Sequence, residues 1–372
     1  MTTPGKIEIT PTVPLRGHGD LSRAYTPGVA DAVKRIAADP STADELTGRR
    51  NAIVVVTDGS AVLGLGDVGP LAALPVMEGK SALFKAFAGV DAWPLCLRSR
   101  DVDDIVRTVT DVSPGLGGIN LEDIAAPRCF DIEHRLQRDL DIPVFHDDQH
   151  GTAIIVLAAL RNALRIVDKR IEDISVVISG AGAAGSAIAR LLLHVGTTEM
   201  VVCDTKGALH SGREDIDGEK SWLAEHANPQ QKKGDLAKTV RGADVFIGVS
   251  APDVLSGDDV AAMSEGGIVF ALANPDPEID PEVARKHAAV VATGRSDEPN
   301  QINNVLVFPG VFRGLLDGGL RDVDDDVQVA AADAIAALVD DARLGPEWIV
   351  PDVFDDRVVP AVAQVVAAQS GT

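Results

Sequence analysis

Ser175-Val176-Val177-Ile178-Ser179-Gly180-Ala181-Gly182-Ala183-Ala184-Gly185 is an apolar run that breaks into a glycine turn, and Ser186 to Leu193 continues with helical spacing. Strand, G-x-G-x-x-G, helix is the dinucleotide-binding unit. Its glycines permit the tight turn and let a pyrophosphate meet the N-terminus of the helix. The glycine spacing alone is a weak signal, but here both flanking elements are present. The next strand, Met200-Val201-Val202-Cys203, ends in Asp204, where a carboxylate would hold the adenine ribose. Asp204 favours NAD, while Lys206 just beyond it leaves NADP open. Further buried runs follow at Val245-Phe246-Ile247-Gly248, Ile268-Val269-Phe270-Ala271 and Ala289-Val290-Val291-Ala292, each ending in small or polar residues. In an open parallel sheet those carboxyl ends face the ligand crevice. Asn303-Asn304 stands in a later loop; its amides suit a nicotinamide carboxamide or a substrate carboxylate, and equally an ordinary turn.

Upstream, two acidic pairs lie about a helix apart: Gly118-Ile119-Asn120-Leu121-Glu122-Asp123 and Phe145-His146-Asp147-Asp148-Gln149-His150-Gly151-Thr152. Adjacent side chains on a strand face opposite ways, so Glu122 and Asp123 converge only at a strand end or turn. If Asp148 returns to the same point, three carboxylates repel one another unless a cation sits among them. All-oxygen ligation then indicates Mg2+ or Mn2+ rather than Zn2+. Solvated loop charges are the alternative in a chain with 56 acidic residues. His146 and His150, beside these carboxylates, read as supporting rather than ligating.

The N-terminal part supplies two further candidates. Tyr25, on the turn Ala24-Tyr25-Thr26-Pro27-Gly28, could donate a proton or serve as a structural hydroxyl. Lys80, in Glu78-Gly79-Lys80-Ser81, reads as the start of an apolar helix. There the helix dipole and burial would lower its pKa toward that of a general base. Ala52-Ile53-Val54-Val55-Val56-Thr57 is a buried strand, and Leu63-Gly64-Leu65-Gly66 a loop that lets backbones approach closely.

The length of 372 residues suggests two domains, and a net charge of −22 argues against nucleic acid or an anionic membrane as partner. An anionic substrate would then need a local cation, from a metal or a buried lysine. Three cysteines without metal spacing fit a reducing cytoplasm. No leader-type apolar core opens the chain, no apolar run reaches about 18 residues, and there is no internal repeat. The expected fold is α/β in two domains: an α/β substrate and metal domain over residues 1–150, and a Rossmann-like parallel-sheet NAD(P)-binding domain with C-terminal helices over 151–372.

Taken together these segments, with Gly64-Leu65-Gly66-Asp67, Ala273-Asn274-Pro275 and Asn303-Asn304-Val305, resemble the malic enzyme family, in its short-subunit bacterial form, over nearly the whole chain. The resemblance implies oxidative decarboxylation of (S)-malate to pyruvate and CO2 with NAD(P)+ and Mg2+ or Mn2+, and decarboxylation of oxaloacetate as well. Another metal-dependent 2-hydroxy-acid dehydrogenase or an oxaloacetate decarboxylase is the alternative. By resemblance, Glu122, Asp123 and Asp148 ligate the metal, Lys80 is the base, Tyr25 the acid, and Asp147 hydrogen-bonds within the catalytic group. Gly180, Ala181, Gly182, Ala183, Ala184, Gly185, Asp204 and Asn274 would hold the cofactor, and Tyr25, Lys80, Asn274 and Asn304 the substrate. A cytoplasmic homodimer or larger homo-oligomer is expected, with Tyr25 or Lys80 able to serve a neighbouring chain's site. Longer-chain members carry a carboxylate-binding arginine where this chain has Ala61, which leaves Asn274 and Asn304, with backbone amides of the glycine loop, as the expected substrate anchor. Leu97-Arg98-Ser99 and Asp276 also depart from the family pattern, without a functional account.

Overall fold

The computed structural model describes residues 5–62 and 64–369; Leu63 of the glycine-rich loop lies outside them. Four short, fully parallel strands form the first sheet: β1 (Ala52–Thr57), β2 (Asp91–Cys96), β3 (Gly118–Leu121) and β4 (Val144–His146), in the order β2-β1-β3-β4. The strand order reverses between β1 and β3, so a crevice opens at their carboxyl ends. Asp58, Glu122 and Asp147 directly follow β1, β3 and β4.

The second sheet has six strands: β5 (Ser175–Ser179), β6 (Glu199–Asp204), β7 (Gly207–Ala208), β8 (Val245–Gly248), β9 (Ile268–Ala271) and β10 (Val290–Thr293). They run in the order β10-β9-β8-β5-β6-β7, parallel except for the β6–β7 hairpin. Here the order reverses between β5 and β8. Gly180, at φ +118, lies at that switch, and a Cβ there would stand 2.5 Å from the Val249 carbonyl oxygen. A Cβ at Gly185 would stand 1.8 Å from the Gly180 carbonyl oxygen, so only glycine lets the helix Ala183–His194 pack so close to the turn.

Along the chain, the helix Thr152–Val167 links the two sheets, with eleven of its residues buried. With the preceding turn it is the one helix among the described residues long and apolar enough to cross a membrane, and it is mostly buried inside the protein. Its apolar length follows from its place as the core helix. The C-terminal helix Phe308–Gly318 folds back onto the first half. Phe84 meets Phe308 and Phe312 at ring-centroid distances of 4.6 and 5.2 Å, and Phe145 meets Phe312 at 5.9 Å. One apolar core therefore reaches from Ile53 and Phe84 through to Val362 and Val366.

The helix bearing Lys80 spans Pro70–Ala88, with Lys80 well inside it rather than at its start. Pro75 inside the helix obscured its length, since an interior proline costs about 3 kcal/mol. Burial of Ala73, Met77, Ser81 and Phe84 along one side offsets that cost. The expected dipole effect on Lys80 is accordingly absent.

Candidate active site

The carboxyl ends of β3 and β4 bring Glu122, Asp123 and Asp148 together. One oxygen from each lies within 4.8 Å of the others. Asp123 takes a left-handed backbone, φ +53, which turns the chain at the strand end so that both neighbouring acids face inward. The Asp123 N–H donates to Asp148 Oδ2 at 2.7 Å, and Asn120 Nδ2 donates to Glu122 Oε2 at 2.9 Å. Burial raises the Glu122 carboxyl well above its usual range, and repulsion from Asp148, Asp147 and Asp123 adds to that, outweighing the pull of Lys80. Burial likewise raises Asp148, with Asp147 reinforcing it. Crowded, desolvated oxygens of this kind suit a hard divalent cation, and Glu122, Asp123 and Asp148 are the residues that fit one.

Lys80 is 8% exposed. Its ammonium donates to Glu122 Oε1 at 3.0 Å and to Asp147 Oδ2, and lies 4.0 Å over the centre of the Phe308 ring. Burial pulls its pKa down, yet the charges of Asp147, Glu122 and Asp148 more than reverse that and raise it. This corrects the expectation of a lowered pKa: the carboxylates outweigh both burial and the helix.

Asn304 lies across the domain junction rather than in an open loop. Its Nδ2 donates to Asp147 Oδ2 at 3.0 Å and to the hydroxyl of Thr152 at 3.2 Å. A Cβ at Gly151 would fall 2.0 Å from Asp147 Oδ1, so glycine is required where the turn passes this carboxylate. Asn274 follows β9, and its carbonyl oxygen would be 2.4 Å from a Cβ on Gly64. The glycine loop of the first domain thus touches the second, as its composition suggested.

Tyr25 is not brought to this cluster. It caps the helix His18–Ala24, is 65% exposed, and its hydroxyl makes no hydrogen bond among the described residues. Leu21, Val29 and Val33, on the two helices that Tyr25 joins, are exposed as well. Neither that helix nor the following one, Val29–Ala38, buries a single residue.

At the cofactor end, Asp204 is held by Arg213 through bonds of 2.8 and 3.0 Å and by Lys220 at 3.0 Å. Although burial opposes it, these partners lower the carboxyl to about 2. Lys206, weighed in the sequence as a phosphate ligand, pairs with Asp215 at 2.7 Å. Arg213 and Lys220 escaped the sequence reading, since a surface basic residue carries no pattern until the fold sets it beside Asp204. Glu133 escaped it too, though a signal existed: its spacing puts it on the buried side of the helix Arg128–Asp139 with Cys129, Ile132 and Leu136.

An acidic, cation-sized cluster against a buried lysine, joined to a doubly wound dinucleotide sheet, defines a metal-assisted, nicotinamide-dependent oxidoreductase. Comparison with known proteins narrows the class. The malic enzyme N-terminal domain matches residues 4–137, and the malic enzyme NAD binding domain matches residues 149–370. An NAD-dependent malic enzyme of Geobacillus stearothermophilus is 54% identical over 97% of this chain and 76% of its own length. A bifunctional malic/malolactic enzyme of Bacillus subtilis is 52% identical, over 98% of this chain and 89% of its own. The crystal structure of the NAD-dependent malic enzyme of Thermotoga maritima superposes with a TM-score of 0.93 at 46% identity, covering 98% of this chain and 96% of that one. The chain belongs to the malic enzyme family.

Proposed function

We propose that the chain catalyses oxidative decarboxylation of (S)-malate to pyruvate and CO2 with reduction of NAD(P)+, using Mg2+ or Mn2+. The observation that carries this reading is the convergence of Glu122, Asp123 and Asp148 beside Lys80, at the carboxyl ends of β3 and β4. A divalent cation on those three carboxylates would polarise the 2-hydroxyl and later the 2-keto oxygen, and would offset the charge that holds Lys80 protonated. An oxidised dinucleotide held by the Gly180–Gly185 turn would accept the hydride from C2. Lys80 receives the 2-hydroxyl proton, its amine aimed by Asp147, which Asn304 fixes in turn. The Phe308 ring packs against the Lys80 ammonium. Asn274 and Asn304 take the substrate carboxylates in this reading, with residues 1–150 serving substrate and metal and 151–372 the cofactor. The assay that tests it follows absorbance at 340 nm with malate and NAD+ or NADP+, with and without Mn2+, and measures pyruvate, lactate and CO2 as products. Oxaloacetate accumulating without CO2 would instead establish a plain dehydrogenase.

NAD is the preferred cofactor in this reading, because Asp204 stands where the ribose 2′-hydroxyl would be met. Arg213 and Lys220 nevertheless leave a cationic rim on which a 2′-phosphate could rest. Lys220→Ala is expected to lower kcat/KM for NADP+ about tenfold, equal to ~1.4 kcal/mol, while changing that for NAD+ less than twofold. Equal losses for the two cofactors would remove Lys220 from the choice.

The working unit in this reading is a homodimer in the cytoplasm, with Tyr25 acting in the partner's site by protonating C3 of enolpyruvate. What supports it is the exposure of Leu21, Tyr25, Val29 and Val33, and the absence of a hydrogen bond to the Tyr25 hydroxyl among the described residues of its own chain. Two inactive variants, Tyr25→Phe and Lys80→Ala, should complement when unfolded and refolded together. Each mixed dimer would hold one intact site, restoring about a quarter of parental activity if half the dimers are mixed. No recovery from verified mixed dimers would place Tyr25 in its own chain's site or in none.

A further inference from the structure

Glu133 lies on the helix Arg128–Asp139, is 2% exposed, and hydrogen-bonds to none of the three acids assigned to the cation. A buried carboxylate is costly unless its lone pairs are filled. Oε1 accepts the backbone N–H of His146 at 2.9 Å and meets His150 Nε2 at 3.0 Å; Oε2 accepts Gln149 Nε2 at 3.0 Å. These three partners bracket Asp147 and Asp148, one before the pair and two after it. The residues between, Asp147–Gly151, form a single wide π-type turn, a form found mostly at functional sites. The turn closes on itself, the Thr152 N–H donating to the carbonyls of Asp147 and Gln149. It sends Asp147 onto Lys80 and Asp148 onto the Asp123 N–H.

We propose that Glu133 is the positioning residue of the site: its carboxylate ties both ends of the Asp147–Gly151 turn to one rigid helix and so sets the third cation-binding oxygen in register with Glu122 and Asp123. The inference rests on the reading of Asp148 as a ligand. Removal of Glu133 should therefore weaken cation binding although Glu133 never touches the cation, in the way that groups supporting ligands commonly set affinity.

The test is Mn2+ titration of the cofactor-free enzyme by calorimetry, with NADH binding and thermal unfolding as controls. In Glu133→Gln one acceptor oxygen remains and an NH2 group now faces N–H donors. Its Mn2+ Kd is expected to rise about tenfold or more, with NADH affinity within about twofold of the parent, since the Glu133 hydrogen bonds go to His146, Gln149 and His150 and not to the Gly180–Gly185 turn. Malate turnover should recover in part at saturating Mn2+. A folded Glu133→Gln enzyme with parental Mn2+ affinity overturns the proposal. Should that variant fail to fold, Gln149→Ala decides instead: it removes one tether and leaves the carboxylate. A several-fold weaker Mn2+ affinity is expected there, and an unchanged one rejects the role. If Asp148→Asn also bound Mn2+ normally, the fault would lie in the ligand assignment. Loss in Asp148→Asn with no loss in the Glu133 and Gln149 variants would refute the positioning role alone.

Discussion

Lys80→Ala is expected to lower kcat for malate oxidation by about a thousandfold, within the range for losing a positioned base, while NADH binds as tightly as before. Lys80 is the basic side chain in contact with the carboxylate cluster, buried and held by Asp147 and Glu122. The centre of the Phe308 ring lies 4.0 Å from its ammonium. Arginine should not rescue it, because a guanidinium stays protonated throughout the working pH range and cannot accept the hydroxyl proton. Single-turnover kinetics with saturating malate, NAD+ and Mn2+ measure the effect. A rate within tenfold of the parent would show that another group takes the proton. A loss confined to KM would assign Lys80 to substrate binding only.

Asp148→Asn carries the second large effect: Mn2+ affinity lower by on the order of a hundredfold, with malate turnover lost at ordinary Mn2+ concentrations. The pH dependence of the parent gives an independent check. Glu122 and Asp148 have folded-state pKa values above their unfolded ones, so each carboxyl stays protonated to a higher pH in the apo-protein. The metal-free fold therefore loses stability as pH rises from the unfolded values toward the folded ones, and cation binding must expel those protons. Mn2+ affinity should accordingly strengthen as pH rises, and added Mn2+ should raise Tm more at pH 7.5 than at pH 5.5. Asp148 is a source of the repulsion that raises Glu122, so this slope should flatten in Asp148→Asn. Parental affinity and slope in that variant would remove Asp148 from the ligand set.

Both effects come from groups separated in the chain, and the sequence pointed to them unevenly. Glu122, Asp123 and Asp148 were legible as candidates because each acidic pair follows an apolar run, though solvated loop charges fitted the same spacing in so acidic a chain. Lys80 was legible as a residue but not in its state. Its pKa depends on charges contributed by β3 and β4, and no reading of residues 70–88 alone contains them. Asn304 read as a turn former or an amide ligand. Only folding showed that it joins the cofactor half to Asp147.

What the sequence by itself determined is local: strands as unbroken apolar runs, the dinucleotide turn from its three glycines, and the acids that end β3 and β4. These rest on backbone sterics and short-range burial, which neighbouring residues specify. What only the tertiary structure decided is electrostatic and relational: a lysine kept charged by surrounding carboxylates, Asp204 matched by Arg213 and Lys220, a tyrosine left exposed away from the acids, and Glu133 hydrogen-bonded to both ends of a turn. Each depends on distances between segments remote in the chain. Electrostatic energies at those distances change several-fold with burial, so they take their values only once the core has closed.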